Sequence, residues 1–139
     1  MNIMKVISSP KIEIGKSQIP KAGRGIFARQ SIKKDEVIEE CPVLVVPRKD
    51  YSVLKKTILH NYYFMWGKIT CGICFGFGSF YNHSYKPNAT YKKDIKNQII
   101  RFVAIRDIEN GEEITVNYNY GKPDDKKSLW IKEIKSSTG

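Results

Sequence analysis

The sequence predicts a mainly β fold with one short helix near the middle of the chain and another near its end. Short runs of β-branched and aromatic residues recur, and Gly, Pro, Asn and Asp separate them, as is typical of strands joined by tight turns. Helical spacing of apolar residues is confined to two segments. The chain has 139 residues, 41% of them hydrophobic, and is expected to form one domain, residues 1–139, around a single core.

The first half of the chain is predicted to contain four strands, at residues 11–15, 25–28, 37–41 and 43–46. Asp35 and Glu36 resemble a turn before the third strand. Pro42 is expected to interrupt the backbone between the third and fourth strands, because proline lacks an N–H donor.

Residues 50–66 are predicted to form the central helix, since Val53, Leu54, Ile58 and Tyr62 recur at intervals of three and four residues. Asp50 or Ser52 can cap its first turn. This helix is expected to be the main helical element of the fold.

Four more strands are predicted in the second half, at residues 69–77, 89–93, 98–105 and 113–117. Lys96 and Asn97 are expected to form a hairpin turn, and residues 109–111 a tight reversal. After Gly121, an aspartate can cap a short amphipathic helix that carries Leu129, Trp130 and Ile134.

The cysteines and the charge exclude some classes of protein. Three cysteines, an odd number, argue against a disulfide framework, and the pair Cys71 and Cys74 lacks the further ligands of a zinc site, so no metal is expected. The formal net charge of +10 fits either a solvated lysine-rich surface or weak, non-specific contact with nucleic acid. Without a membrane-spanning run or a signal-peptide core, an intracellular, soluble protein of the cytoplasm or nucleus is expected.

Three motifs carry more specific information. They are AGRGIFARQSIKKDEVIEE at residues 22–40, GFGSFYNHSYKPNA at residues 76–89 and GEEITVNYNYG at residues 111–121. In this order and combination they resemble the signature segments of the SET-domain protein lysine methyltransferases. The small size and the lack of cysteine-rich flanks are similar to the stand-alone SET proteins of viruses and bacteria.

The resemblance implies a fold and a division of the chain. SET domains adopt a β-clip fold of several small curved sheets, with a C-terminal pseudoknot that is one of the rare threaded topologies. The core would cover about residues 10–121, and residues 122–139 would form a lid or tail. The segment around Asn82 and His83 would then lie against the segment around Tyr118.

The resemblance also implies a binding site for S-adenosyl-L-methionine. The glycine loop would contact the methionine and ribose end through its main chain, Asn82 would bind the amino-acid end, and the His83 segment would meet the adenine and brace the knot. Tyr62 would line the cofactor or lysine pocket, and Trp130 is the candidate for closing the site, with anchoring of the tail as its alternative role. The expected cofactor-binding residues are Ala22, Gly23, Arg24, Gly25, Tyr62, Asn82, His83 and Trp130.

Tyr118 matches the catalytic tyrosine of the family, whose hydroxyl lies near the transferring methyl group. Tyr91, Val116 and Tyr120 are expected to line the channel for the substrate lysine. Val116 stands where some members carry an aromatic hydroxyl that restricts methylation, which favours di- or trimethylation, although Tyr91 could restore the restriction.

The function implied is S-adenosylmethionine-dependent N-methylation of a protein lysine. The substrate would be a histone or another basic protein tail, and the methyl group would pass directly to the deprotonated amine. Two alternatives stay open: a catalytically weak SET-type protein-binding module, and a small basic β protein associated with nucleic acid.

Overall fold

A computed structural model describes residues 3–119, 121–129 and 136–137 of the chain. In these residues the chain forms one α-helix and ten β-strands. They are β1 (Ile12–Lys16), β2 (Arg24–Ala28), β3 (Val37–Val46), α1 (Arg48–Leu54), β4 (Phe64–Met65), β5 (Cys71–Cys74), β6 (Asn82–Ser84), β7 (Ala89–Asp94), β8 (Ile99–Ala104), β9 (Glu113–Val116) and β10 (Ser136–Ser137). Single 3₁₀ turns cover Ile58–Asn61 and Gly78–Phe80.

The first sheet has the strand order β1-β2-β9-β6-β10. Strands β1, β2 and β9 are antiparallel neighbours, whereas β6 runs parallel to both β9 and β10. In the β6–β9 pair, Asn82 lies opposite Thr115 and His83 opposite Val116. The motifs at residues 76–89 and 111–121, which are far apart in the chain, are therefore joined by the pairing of β6 with β9.

The second sheet has the order β4-β5-β3-β8-β7, with the ten-residue strand β3 at its centre. Its two outer strands meet across the open side of the sheet, where the rings of Phe64 in β4 and Tyr91 in β7 lie 5.1 Å apart in an edge-to-face arrangement. The sheet is thus strongly curled, and the prediction of a mainly β fold built from small curved sheets is confirmed.

The core lies between the two sheets. Tyr81 and Phe102 stack with ring centroids 4.1 Å apart, and Ile26, Ile100 and Ile114 are fully buried around them. Each such side chain contributes about 1.5–3 kcal/mol of hydrophobic stabilisation. This packing fixes the strands that carry the motifs.

The predicted helix at residues 50–66 is wrong in length, because α1 ends at Leu54. The Thr57 hydroxyl donates to the Leu54 carbonyl (2.7 Å) and accepts from the Leu59 N–H (3.2 Å), which ends one helical segment and starts a 3₁₀ turn. Phe64–Met65 then pairs with β5. Helical spacing of apolar residues predicts a helix when a core packs against them, and here α1 buries none of its residues.

The predicted break at Pro42 is also wrong, since β3 is continuous through this residue. Pro42 pairs with Ile99, the last pair of the β3–β8 ladder, and its carbonyl accepts the N–H of Phe75 at 2.9 Å. A missing N–H costs little at the end of a ladder.

The C-terminal helix expected after Gly121 does not begin within residues 121–129, which form turns and irregular structure. Asn117 and Asn119 donate from their side-chain amides to the carbonyls of Asp125 (2.7 Å) and Lys127 (2.8 Å), and these bonds hold the segment against the residues that follow β9. Residues 130–135 of the predicted helix lie outside the described residues. Among the helices that the structure describes, none is long and apolar enough to cross a membrane.

Candidate active site

His83 joins the two motif strands. Its Nδ1 accepts the backbone N–H of Tyr118 at 3.0 Å, and its ring, fully buried, lies 5.3 Å from the Tyr118 ring. Burial lowers the pKa of His83 to about 4. The imidazole is therefore neutral at physiological pH, with its proton on Nε2, because Nδ1 is the acceptor. The His83 side chain braces the strand that ends at Tyr118.

The Tyr118 hydroxyl is held in one orientation. It donates to the backbone carbonyl of Tyr81 at 2.7 Å. Burial raises the pKa of Tyr118 well above its ordinary value of 10.0, and the neighbouring Tyr91 and Tyr62 raise it further. The hydroxyl therefore stays protonated at neutral and moderately alkaline pH, where it can orient a reactant but cannot act as a general base.

A narrow, mostly aromatic cavity of about 50 Å³ opens beside Tyr118. Aromatic walls and few polar atoms remove water from an entering side chain and favour its uncharged form. The residues that line the cavity are Asn61, Tyr62, Tyr63, Phe64, Met65, Gly78, Ser79, Tyr81, Tyr91, Lys93, Val116 and Tyr118.

Glu39 fixes the segment that supplies the Tyr81 carbonyl, a role that the sequence did not predict. This buried carboxylate accepts the Tyr81 hydroxyl and the backbone N–H of Phe77, both at 2.9 Å. Two acidic residues, Glu39 and Glu40, inside an otherwise apolar strand were the available signal, since a charge that becomes buried requires such partners. Glu39 thereby anchors both ends of the Phe77–Tyr81 turn.

Asn82 connects the glycine loop to β9. Its Nδ2 lies 2.9 Å from the Arg24 carbonyl, 3.0 Å from Glu113 Oε2 and 3.2 Å from Ser17 Oγ. The Glu113 carboxylate also accepts the Ser17 hydroxyl at 2.8 Å. These contacts leave no room at Gly25, where an added Cβ would stand 2.5 Å from Glu113 Oε2. A side chain at this position would therefore displace the Glu113 carboxylate from Ser17 and Asn82.

The glycine loop itself turns sharply at Gly23, whose φ is +78° and where an added Cβ would meet no atom within 4 Å. The Ala22 N–H donates to the Ile19 carbonyl at 3.1 Å, and the Gly23 carbonyl accepts the Ser17 N–H at 2.8 Å. At Gly23 the backbone borders open space, as a loop that binds a ligand through its main chain requires.

A row of aromatic rings links the glycine loop to the cavity. The Arg24 guanidinium lies over the Phe80 ring at 4.7 Å, and the Tyr62 ring lies 6.5 Å from Phe80. The structure thus connects the Ala22–Gly25 loop to the cavity through the Arg24–Phe80 and Phe80–Tyr62 contacts, and Asn82 contacts the loop at the Arg24 carbonyl. His83 lies against Tyr118 at the cavity, which is lined by Tyr62, Tyr91, Val116 and Tyr118. Tyr120 and Trp130, also predicted for the site, lie outside the described residues.

Cys41 and Cys74 pack closely against Gly78. A Cβ added at Gly78 would stand 2.2 Å from the Cys74 sulfur and 3.0 Å from the Cys41 sulfur. Burial and the neighbouring thiol raise the pKa of Cys41. All three cysteines are buried, free thiols. Within the part of the chain that the structure describes, no three His, Cys, Asp or Glu side chains are grouped as a metal site requires.

Comparison with known proteins assigns the class of protein that this fold and site define. Residues 23–119 match the SET domain family, and the chain belongs to that family. Together with the relative described next, this match confirms the predictions of a SET domain and of a protein-lysine methyltransferase, and with them S-adenosyl-L-methionine as the methyl donor of the family.

Two curated relatives share 33% sequence identity with the chain. One is the histone-lysine N-methyltransferase of Schizosaccharomyces pombe that is specific for lysine 37 of histone H3; the match covers 95% of this chain and 84% of the relative. The other is the variant-silencing SET domain-containing protein of Plasmodium falciparum, where the match covers 78% of this chain and 5% of the relative.

Solved structures show the same fold. A candidate histone methyltransferase of Plasmodium falciparum superposes with a TM-score of 0.61 at 31% identity, over 84% of this chain and 98% of that one. Polycomb repressive complex 2 of Chaetomium thermophilum, bound to S-adenosylmethionine, gives a TM-score of 0.70 at 23% identity, over 84% of this chain and 16% of that one. At that identity the second likeness shows the fold alone.

Proposed function

We propose that this SET-domain protein methylates lysine side chains of a histone or of another basic protein tail, with Tyr118 at the reacting atoms. The observation that carries the proposal is the fixed Tyr118 hydroxyl at the wall of a narrow aromatic cavity. The S. pombe relative acts on histone H3, which supports a histone substrate and, with it, a nuclear location.

The residues present fit S-adenosyl-L-methionine. The π faces of the tyrosine rings can contact the fixed positive charge of the sulfonium, which, unlike an ammonium group, has no proton to release. On the loop side, Gly23 offers open backbone, and His83 Nε2 is a buried N–H without a hydrogen-bond partner in the described part of the chain. We assign the cofactor to the Ala22–Gly25 loop, Asn82, His83 and Tyr62, with Trp130 as the candidate for closing the site.

The chemistry needs little covalent help from the protein. S-adenosyl-L-methionine supplies a methyl group on a sulfonium: the amine lone pair forms the N–C bond while the C–S electron pair returns to sulfur. The protein has to align the amine, admit the amine without its proton, and exclude water. Such positioning accounts for most of the acceleration in direct displacements. The Tyr118 oxygen, its proton committed to the Tyr81 carbonyl, presents its lone pairs to the cavity.

The number of methyl groups depends on the space around the amine. Val116 is buried and offers the cavity only methyl groups, while the Tyr91 ring is fixed between Phe64 (5.1 Å) and Phe102 (5.9 Å). We therefore propose transfer of two or three methyl groups. A product that stalls at one methyl with excess methyl donor would contradict this, and release of the block in Tyr91→Phe would identify Tyr91 as its cause.

Mass spectrometry of histones after incubation with the protein and S-adenosyl-L-methionine tests the proposal. We expect a methylated lysine on a histone, whereas a non-histone protein of similar basic charge measures the selectivity. Calorimetry with S-adenosyl-L-methionine alone separates cofactor binding from transfer. Binding without transfer to any protein would point to a protein-binding module, and the absence of both would overturn the proposed function.

The net charge of +10 makes nucleic acid a second ligand to test, because the protein repels a free basic tail but attracts phosphate. We propose that a substrate presented on nucleic acid is methylated faster than the isolated tail. The advantage should fall as salt increases, since phosphate contacts release counterions. Equal rates on nucleosomes and free histones at low salt would refute this.

A further inference from the structure

The group that accepts the Tyr118 hydroxyl proton lies at the end of a short turn. This acceptor is the backbone carbonyl of Tyr81, at 2.7 Å from the Tyr118 oxygen, and Tyr81 directly follows the 3₁₀ turn Gly78–Phe80. Because a backbone carbonyl moves with its segment, the orientation of the Tyr118 hydroxyl depends on how firmly this turn is held. Gly78 and Ser79 of the turn also line the cavity.

The local hydrogen bonds of this turn are few. The Phe80 N–H donates to the Phe77 carbonyl at 2.9 Å, and the Ser79 hydroxyl donates to the Cys74 carbonyl at 3.1 Å. Short 3₁₀ segments have poorer hydrogen-bond geometry than α-helices. The turn therefore depends on contacts with the strand beneath it.

Glu39 in β3 holds both ends of the turn. Its Oε2 accepts the backbone N–H of Phe77 and its Oε1 accepts the hydroxyl of Tyr81, both at 2.9 Å. Hydrogen bonds to a carboxylate are roughly twice as strong as those between neutral groups. One buried side chain thus fixes where the turn begins and where it ends.

Packing leaves the carboxylate and the Tyr81 ring little freedom to move. A Cβ added at Gly76, just before the turn, would stand 2.7 Å from Glu39 Oε2. The Tyr81 ring is buried and stacks on Phe102 with centroids 4.1 Å apart. Burial and the Glu39 carboxylate raise the pKa of Tyr81 well above its usual range, so its hydroxyl stays a donor to Glu39.

We propose that Glu39 is a positioning residue for methyl transfer: by holding Phe77 and Tyr81 it fixes the carbonyl that orients the Tyr118 hydroxyl. This inference rests on the proposed function. When the Tyr81 carbonyl shifts, the Tyr118 hydroxyl loses its fixed acceptor, and its lone pairs face the incoming amine for only part of the time. Misplacement of a group by about 1 Å can cost about 100-fold in rate, even when its cause lies away from the chemistry.

Two variants weaken the connection without touching the Tyr118 side chain. Glu39→Gln keeps the shape of the side chain but has one acceptor oxygen where the carboxylate has two. Tyr81→Phe removes the hydroxyl that Glu39 holds and keeps the backbone carbonyl. Glu40→Gln is the matched control, because Glu40 lies next to Glu39 on the other face of β3 and bonds to Arg101 at 2.7 Å.

The first readout separates turnover from binding. At saturating peptide and S-adenosyl-L-methionine, Glu39→Gln and Tyr81→Phe should each lower kcat about 10-fold, since each loosens one end of the turn. Affinity for S-adenosyl-L-methionine, measured by calorimetry, should stay within about 2-fold of the wild type, because the interaction lost acts on the reaction and not on cofactor binding. Glu40→Gln should keep the wild-type kcat.

The second readout is a double-mutant cycle with Tyr118→Phe. Without the Tyr118 hydroxyl there is nothing for the Tyr81 carbonyl to orient, so Glu39→Gln should lower kcat by less than about 2-fold in that background. An equal loss in both backgrounds would show that Glu39 acts independently of Tyr118, for example by stabilising the fold. A wild-type kcat in both Glu39→Gln and Tyr81→Phe would also overturn the inference.

Melting temperatures identify the variants that are folded, and all rates are measured well below them. If Glu39→Gln does not fold, Tyr81→Phe takes its place in the cycle with Tyr118→Phe, with the same expected result. A wild type that methylates no histone or other basic protein fails the proposed function and this inference with it. An active wild type with equal losses in the two backgrounds fails this inference alone.

Discussion

Two regions border the same cavity and are held in place in different ways. The sheet with β6 and β9 positions Asn82, His83 and Tyr118 through side-chain hydrogen bonds. The arm, residues 48–63, positions Tyr62 and Tyr63 from the other side, yet α1 within it buries no residue. Its apolar side chains stay largely exposed: Ile58 by 73% and Val53 by 64%.

This difference between the sheet and the arm indicates which parts of the site are rigid. Segments with few buried contacts open at low free-energy cost, whereas core strands open only with the whole domain. The Tyr118 side of the cavity should therefore be preformed, and the Tyr62 side should adjust when ligands bind.

The largest expected difference between the sheet and the arm is in their contribution to stability. Ile114→Ala removes a fully buried side chain from β9 and should lower the free energy of unfolding by about 3 kcal/mol. Ile58→Ala, the same change in the arm, should cost less than about 0.5 kcal/mol. Urea unfolding of both variants measures the two values. Similar losses would mean that the arm is part of the core.

The second effect is on catalysis. Tyr118→Phe removes the hydroxyl bonded to the Tyr81 carbonyl and should lower kcat about 100-fold, the usual result of deleting one preorganised group at a reaction centre. Affinity for S-adenosyl-L-methionine, measured by calorimetry, should stay close to the wild-type value. Tyr51→Phe, which removes a hydroxyl bonded to Tyr63 in the arm, is the matched change and should lower kcat only slightly. A larger loss in Tyr51→Phe would reverse the contrast.

The third effect is a pH dependence of stability that belongs to the sheet. A histidine titrates near 6.5 when unfolded, whereas burial lowers the pKa of His83 to about 4 in the folded protein. Between these values the unfolded chain binds more protons, so stability is lost as pH falls from about 6.5 to about 4. The loss over this range should be about 2.5 kcal/mol, because each unit of the pKa difference contributes about 1.4 kcal/mol and the two pKa values are the ends of the range.

Unfolding free energies at several pH values, for the wild type and for His83→Gln, measure this contribution. The variant should be less stable at neutral pH and should lose less on acidification. His60→Gln, the corresponding change in the arm, keeps His83 and should follow the wild type. Identical pH slopes in the wild type and His83→Gln would assign the dependence to other groups.

The smallest effect concerns the arm alone. Thr57→Ala removes the hydroxyl that links the Leu54 carbonyl to the Leu59 N–H and should destabilise the 3₁₀ turn by about 1 kcal/mol. Hydrogen exchange should become faster at residues 54–61 and stay unchanged in β6 and β9. Faster exchange in β9 would show that arm and sheet open together.

Much of the fold was predictable because its information is local. Alternating apolar residues placed β2, β7, β8 and β9 nearly at their observed bounds, and the turns at residues 96–97 and 109–111 followed from residue type. Where burial was weak, the pattern failed. Residues 50–66 of the arm have the apolar spacing of a helix, but the helix ends at Leu54 because no core packs against these apolar side chains.

The sequence alone was enough to identify the three motifs and their order. The motifs in turn predicted the family, the methyl donor and the candidate residues Asn82, His83 and Tyr118. Tertiary structure alone decided the rest. Glu39 meets Tyr81 and Phe77 only because β3 lies beneath that turn. Lys93 meets Met65 only because a curled sheet brings its two edges together. Such contacts join residues far apart in the chain, and their energies depend on the packing of every strand between them.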